Sequence, residues 1–108
     1  MTQQEIIEYN KRCAEFLGWK IVDGIITLIP EESEFQHEVG YSANGFLKFH
    51  SDWNWIMEVV DAIEKKVAWV NIKGCAVDIS SISNVNAKTK KEAVVQAINQ
   101  FLIWYNEN

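Results

Sequence analysis

An Asp-Gly pair at residues 23 and 24 separates two β-branched runs, Ile21-Val22 and Ile25-Ile26. The tightest hairpin turns need positive φ at their central positions, which Gly adopts freely and Asp tolerates better than most residues. The pair therefore predicts an antiparallel β-hairpin. Pro30 ends the second strand, because proline has no N–H to donate to a ladder. A fold for this chain has to include an antiparallel sheet.

Two of the three predicted helices carry the same start signal. Thr2-Gln3-Gln4-Glu5 and Thr89-Lys90-Lys91-Glu92 each have the form of a capping box, with a hydroxyl at the N-cap and a Glu three residues later. The first box predicts a helix from about Gln3 to Leu17, which ends at Gly18. The second predicts a C-terminal helix with an apolar stripe formed by Ala93, Val94, Ala97, Ile98, Phe101, Leu102 and Tyr105.

The remaining helix follows Ser51 or Asp52, either of which can act as its N-cap. Its predicted buried stripe consists of Trp53, Ile56, Met57, Val60 and Ile63, and Trp55, Val59 and Ala62 widen it. A helix that is apolar over so wide an arc is expected to be covered on more than one side.

The other segments have strand or loop patterns. Two alternating segments around Gly74 predict a second hairpin. The predicted strands are Val67–Lys73, Cys75–Ile79 and a short aromatic segment, Gly45–Phe49, and the predicted loops are Glu31–Asn44 and Ser80–Lys88. We expect an α+β fold: one small antiparallel sheet of about four to five strands with two hairpins, packed with three helices in a layered sandwich. The 108 residues suit a single domain.

Charge and composition argue against several classes of protein. The net charge is −5 and Arg12 is the sole arginine, which argues against nucleic-acid binding because gripping a phosphate backbone needs clustered cations. The one lysine cluster, at 88, 90 and 91, is typical of a solvated helix start.

We see no signal peptide, and the apolar runs are too short to span a bilayer. Cys13 and Cys75 are expected to be half-buried thiols of a cytoplasmic protein.

Motifs for catalysis or cofactor binding are missing. The glycines form no phosphate-binding loop, and no Cys or His pair has zinc-ligand spacing. The acidic residues between Glu31 and Glu38 lack the alternation and placed glycine of a calcium loop. We therefore predict a protein that is not an enzyme and needs no cofactor or metal.

The densest group of candidate binding residues is His50, Asp52, Trp53 and Trp55, around the start of the second helix. A helix N-terminus can bind an anion, Trp can stack on a ring, and His can donate a hydrogen bond. The alternative is structural, with Asp52 as a cap and the tryptophans as core residues, since Trp53 and Trp55 point about 200° apart on a helix. Trp104 lies off the main stripe of the last helix, where it is either a partner contact or a core residue.

Three stretches resemble a family of small phage and prophage proteins that has no established biochemical role: NKRCAEFLGWK, LKFHSDWNWIMEVVDAIEKK and TKKEAVVQAINQFLIWYNEN. The chain is also similar, more distantly, to the phage α-β-α sandwich domain. The resemblance implies a phage-encoded or prophage-encoded protein of the bacterial cytoplasm, with helices packed on a sheet. It implies no catalytic residues.

Two functions remain open from the sequence. The first is a non-enzymatic accessory protein that binds a host or phage protein, which small size, acidity and five tryptophans favour. The second is a small-molecule binder that sequesters a nucleotide-like compound at the start of the second helix. A homodimer is a further expectation, for which Tyr41 and Trp69 offer contacts if one sheet face is open.

Overall fold

The computed structural model describes residues 1–43 and 47–108. Within these residues the chain forms three α-helices and five antiparallel strands, which confirms the predicted α+β class. The strands belong to two sheets, one with two strands and one with three, where a single sheet was expected. The chain divides into two compact units, Met1–His50 and Ser51–Asn108.

The first unit begins with helix α1, Gln3–Phe16. The predicted capping box is present: the Thr2 hydroxyl accepts from the Glu5 N–H at 3.1 Å, and the Glu5 carboxylate accepts from the Thr2 N–H at 3.0 Å. Gly18 follows the helix at φ 89°, the left-handed conformation that ends helices.

The predicted first hairpin pairs β1, Lys20–Val22, with β2, Ile25–Leu28. Asp23 and Gly24 have φ of 52° and 76°, the two positive values that a type I′ turn requires. The following chain returns to β2, where the Tyr41 carbonyl accepts from the Ile26 N–H at 3.0 Å. One edge of the hairpin is therefore covered by residues 40–43.

The segment between the hairpin and the second unit differs in part from the prediction. The expected loop contains a 3₁₀ turn, Gln36–Glu38, and its Phe35 is buried, with a ring centroid 6.4 Å from that of Trp19. The strand expected at Gly45–Phe49 lies partly outside the described residues, and residues 47–49 form no strand. Phe49 is buried, and its carbonyl accepts from the buried Tyr9 hydroxyl at 3.0 Å. Tertiary contacts decide the conformation of this short segment.

The second unit contains α2, Trp53–Lys66, and α3, Lys90–Glu107. Asp52 is the N-cap of α2, and its Oδ1 accepts from the Asn54 N–H at 2.9 Å. Thr89 caps α3 by accepting from the Glu92 N–H at 3.1 Å. Both helix starts lie where the capping residues predicted them.

The three-stranded sheet has the order β3-β4-β5, with β3 at Val70–Lys73, β4 at Ala76–Ile79 and β5 at Ser83–Asn86. The predicted second hairpin is confirmed, and Gly74 has the positive φ, 59°, that the first central position of a type II′ turn needs.

Strand β5 corrects the prediction of a loop at Ser80–Lys88. Asn and Ser are poor strand formers, so the local pattern does not indicate a strand. Pairing with β4 and burial of Ser83 and Val85 under α3 make this segment a strand. The hydroxyl of Ser83, which is 2% exposed, donates to the Ala97 carbonyl at 2.9 Å.

The helices of the second unit lie on one face of its sheet. Helix α3 packs on β4 and β5, while α2 contacts α3 and β3. The core of this unit is built from apolar side chains of α2, the sheet and α3: Ile56, Val59, Ile63, Val77, Ile79, Val94, Ile98, Phe101 and Leu102.

Candidate functional site

His50 is held in a polar cluster of the first unit. Its Nδ1 lies 3.1 Å from Nδ2 of Asn10, which belongs to α1 and also donates to the Leu47 carbonyl at 3.2 Å. Because Asn10 Nδ2 is a donor, the neutral His50 ring accepts at Nδ1. Partial burial lowers the pKa of His50 and so favours this neutral form. His50 therefore has a structural partner within its own unit.

Asp52 takes the position that an anionic ligand would need. Its carboxylate caps α2 through the N–H of Asn54 and puts a negative charge at the helix start. A phosphate at the same N–H groups would have to displace this carboxylate and approach its charge.

Trp53 and Trp55 separate as their helical spacing predicts. Trp53 is 37% exposed at the first position of α2, whereas Trp55 is 5% exposed. The two rings do not line one surface. Met57 is also 37% exposed, which corrects its assignment, and that of Trp53, to the buried stripe of this helix.

A second-unit surface consists of Trp53, Met57 and Lys91, here called the Trp53 surface. Trp53 and Met57 are four residues apart and therefore neighbours on α2. The Lys91 Nζ lies 5.8 Å from the centroid of the Trp53 ring, within the range of a cation–π contact. This contact brings the starts of α2 and α3 together.

Trp104 lies on another part of the second unit. It is 40% exposed on the last turns of α3, and its ring centroid is 6.0 Å from that of the buried Phe101. It follows Lys91 by thirteen residues, which is roughly 20 Å along the helix axis. Trp104 and the Trp53 surface are therefore distinct candidate contacts.

The two cysteines differ from the expected pair of half-buried thiols. Cys13 is fully buried on α1, and burial raises the pKa of its thiol, whereas Cys75 is exposed beside Gly74 in the turn.

In residues 1–43 and 47–108, no three His, Cys, Asp or Glu side chains cluster as metal ligands do. No helix in the same residues has the length and hydrophobicity to cross a membrane.

Sequence reasoning missed two features that depend on tertiary structure. The sequence pattern indicates a solvated helix start for Lys91, and only the packing of α2 beside α3 brings it to Trp53. Asn10 is buried on α1 and contacts His50, which lies forty positions away. Nothing in the sequence pattern of the first helix indicates this contact.

No protein family, curated protein or solved structure matches the chain. The resemblance to small phage and prophage proteins therefore stays a prediction from the three sequence stretches.

Proposed function

We propose that this protein is a non-enzymatic interaction module that binds another protein. We also propose that it is a phage or prophage accessory protein of the bacterial cytoplasm and that its partner is a host component. The observation that carries the proposal is the Trp53 surface, where a tryptophan and a methionine are exposed beside a lysine.

The chemistry of this surface suits a protein partner. Trp and Met are enriched in protein interfaces, and a Trp that becomes buried on binding often dominates the affinity. The Lys91 Nζ, 5.8 Å from the ring centroid, puts a positive charge beside the tryptophan at this surface. The net charge of −5 favours a partner with net positive charge through long-range attraction.

Capture from host lysate tests the proposal, with crosslinking to retain weak complexes. We expect a specific partner with the wild type and at least about a tenfold loss of recovery with Trp53→Ala, which corresponds to about 1.4 kcal/mol. Trp104→Ala is the comparison variant, because Trp104 is about as exposed and is the other candidate contact on the second unit, and a loss of recovery with Trp104→Ala alone would assign the interface to Trp104. Equal recovery by wild type and Trp53→Ala would exclude the Trp53 surface, and failure to recover any partner would contradict the function.

The alternative is binding of a small, nucleotide-like molecule at the same surface. It is favoured by an exposed aromatic face with a cation 5.8 Å from its centroid. The Asp52 carboxylate at the start of α2 argues against a phosphate there, so we rank this function second.

Native mass spectrometry of protein purified from its host distinguishes protein binding from small-molecule binding. A dissociable small mass that is lost in both Trp53→Ala and Lys91→Ala supports the alternative, and a bound polypeptide supports the first proposal.

A further inference from the structure

The outer edge of β3 presents main-chain groups that have no hydrogen-bond partner. Trp69 and Ser80 form a hydrogen-bonded pair, since the Trp69 carbonyl accepts from the Ser80 N–H at 3.0 Å. Bonded and non-bonded pairs alternate along an antiparallel ladder. The N–H and C=O groups of Val70 and Ile72 therefore point away from β4, and no partner for them occurs in the described part of the chain.

The side chains of this edge divide between the two faces of the sheet. Val70 and Ile72 are paired with the buried Ile79 and Val77, and so lie on the face that α3 covers. The side chains of the opposite face alternate with them: Trp69, Asn71 and Lys73. Trp69 is 57% exposed, the highest fraction among the large apolar side chains in the described residues.

The two edges of the sheet are not equivalent. At the β5 edge, the alternation leaves Asn84 and Asn86 with outward main-chain groups, and Asn is depleted in strands. At the β3 edge the outward residues are Val70 and Ile72, which are β-branched and favour further pairing. The β3 edge also has regular register, with neither a proline nor a bulge to block an added strand.

We propose that β3 pairs with β3 of a second copy of this chain, antiparallel and about a two-fold axis at Asn71. In this register each Val70 exchanges its main-chain hydrogen bonds with the second copy's Ile72. Trp69 then lies directly opposite the second copy's Lys73 on the exposed face, where a cation–π contact can form. The strand is therefore self-complementary in its main-chain hydrogen bonds and in the side-chain pairs of both faces. The proposal is independent of the proposed function, because it does not involve the Trp53 surface.

The interface is small, because β3 has 4 residues. Pairing of one short strand buries less than the roughly 1,200 Å² of a stable interface, so we expect a concentration-dependent dimer. Analytical ultracentrifugation over about 5 to 500 µM covers the matching range of dissociation constants. A wild-type protein that stays monomeric at the highest concentration overturns the proposal.

The paired variants Asn71→Lys and Asn84→Lys test the choice of edge. Both residues lie opposite Asp78 of β4, so each new lysine meets the same carboxylate within the chain. Only Asn71→Lys also puts two like charges opposite each other across the two-fold axis. We expect Asn71→Lys to weaken the dimer at least about tenfold, which corresponds to a loss of about 1.4 kcal/mol in the free energy of association. We expect Asn84→Lys to dimerise like the wild type. Equal effects of the two variants, or a weaker dimer for Asn84→Lys alone, overturn the proposal.

A crosslink tests the register. Residues at a non-hydrogen-bonded antiparallel pair have Cα atoms about 4.5 Å apart, within disulfide range. In a Cys75→Ser background, Asn71→Cys should form a disulfide-linked dimer on mild oxidation, and Asn84→Cys should not. Failure of Asn71→Cys to crosslink faster than Asn84→Cys contradicts the two-fold axis at Asn71. Urea unfolding of each variant, with a midpoint close to wild type, verifies that it is folded.

Discussion

Asn10 shows how one buried polar residue depends on the protonation of its neighbour. Its Nδ2 donates to the Leu47 carbonyl and faces His50 Nδ1 at 3.1 Å, while its Oδ1 is buried without a partner in the described residues. Protonation of His50 places an N–H at Nδ1, so that two donors face each other. Rotation of the amide would relieve that contact but would lose the donor to Leu47.

This geometry predicts that acid destabilises the protein through His50. Because burial lowers the pKa of His50, the unfolded chain binds the proton more readily than the native state. The contribution of His50 to the free energy of unfolding is thus constant above its unfolded pKa of about 6.5 and becomes unfavourable as pH falls through that value. We expect His50→Gln to show a smaller loss of stability than wild type in urea titrations between about pH 7.5 and 5.5.

His37 provides the control for the pH experiment. It is exposed on the 3₁₀ turn, where its Nε2 lies 3.1 Å from Glu38 Oε1, so His37→Gln leaves the Asn10–His50 contact intact and should retain the part of the pH dependence that His50→Gln removes. An unchanged pH dependence in His50→Gln would show that the Asn10–His50 contact does not couple stability to pH.

The two thiols are predicted to differ in reactivity. Burial raises the pKa of Cys13 and excludes reagent, whereas Cys75 is exposed. We expect Ellman's reagent to modify one thiol per native chain and two in denaturant, and Cys75→Ser to leave none reactive in the native state. Rapid modification of a native thiol in Cys75→Ser would mean that Cys13 is accessible.

At the scale of elements, the first hairpin depends on its two-residue turn. Gly24 has φ 76°, where a Cβ is strained, and Asp23 has φ 52°, which Asn adopts as readily as Asp. We expect Gly24→Ala to lower the free energy of unfolding by about 1 kcal/mol and Asp23→Asn to leave it almost unchanged. Equilibrium urea unfolding measures both, and a neutral Gly24→Ala would contradict a type I′ turn in solution.

At the scale of the whole molecule, charge decides which partners are excluded. The chain has a net charge of −5, 10 Lys and Arg residues and 15 Asp and Glu residues. We expect no binding of duplex DNA or RNA in a mobility-shift assay at about 150 mM salt, because too few phosphates could be neutralised. Retained binding whose affinity falls steeply with salt would contradict this prediction and would point to Lys88, Lys90 and Lys91.

Features set by a few neighbouring residues followed from the sequence. The capping box of Thr2, the Asp52 and Thr89 caps and the Asp23-Gly24 turn are all present in the structure. Each is a hydrogen bond or a dihedral preference between residues at most three positions apart, so the sequence carries the full physical cause. The α+β class follows from the same signals, because hairpins and amphipathic helices must cover each other's apolar faces.

The candidate site depended on contacts that no local pattern encodes. The helical spacing correctly separates Trp53 from Trp55. It wrongly predicts that Met57 is buried, because the spacing does not show how much of the α2 surface other elements cover. Strand β5 forms from a polar segment because it pairs with β4 and because α3 covers its Ser83 and Val85.

The sequence by itself determined the start of each helix and the first turn, since these are short-range interactions. Only the tertiary structure decided the division into two sheets, the exposed tryptophans and the unpaired edge of β3, since burial and pairing depend on residues distant in the chain.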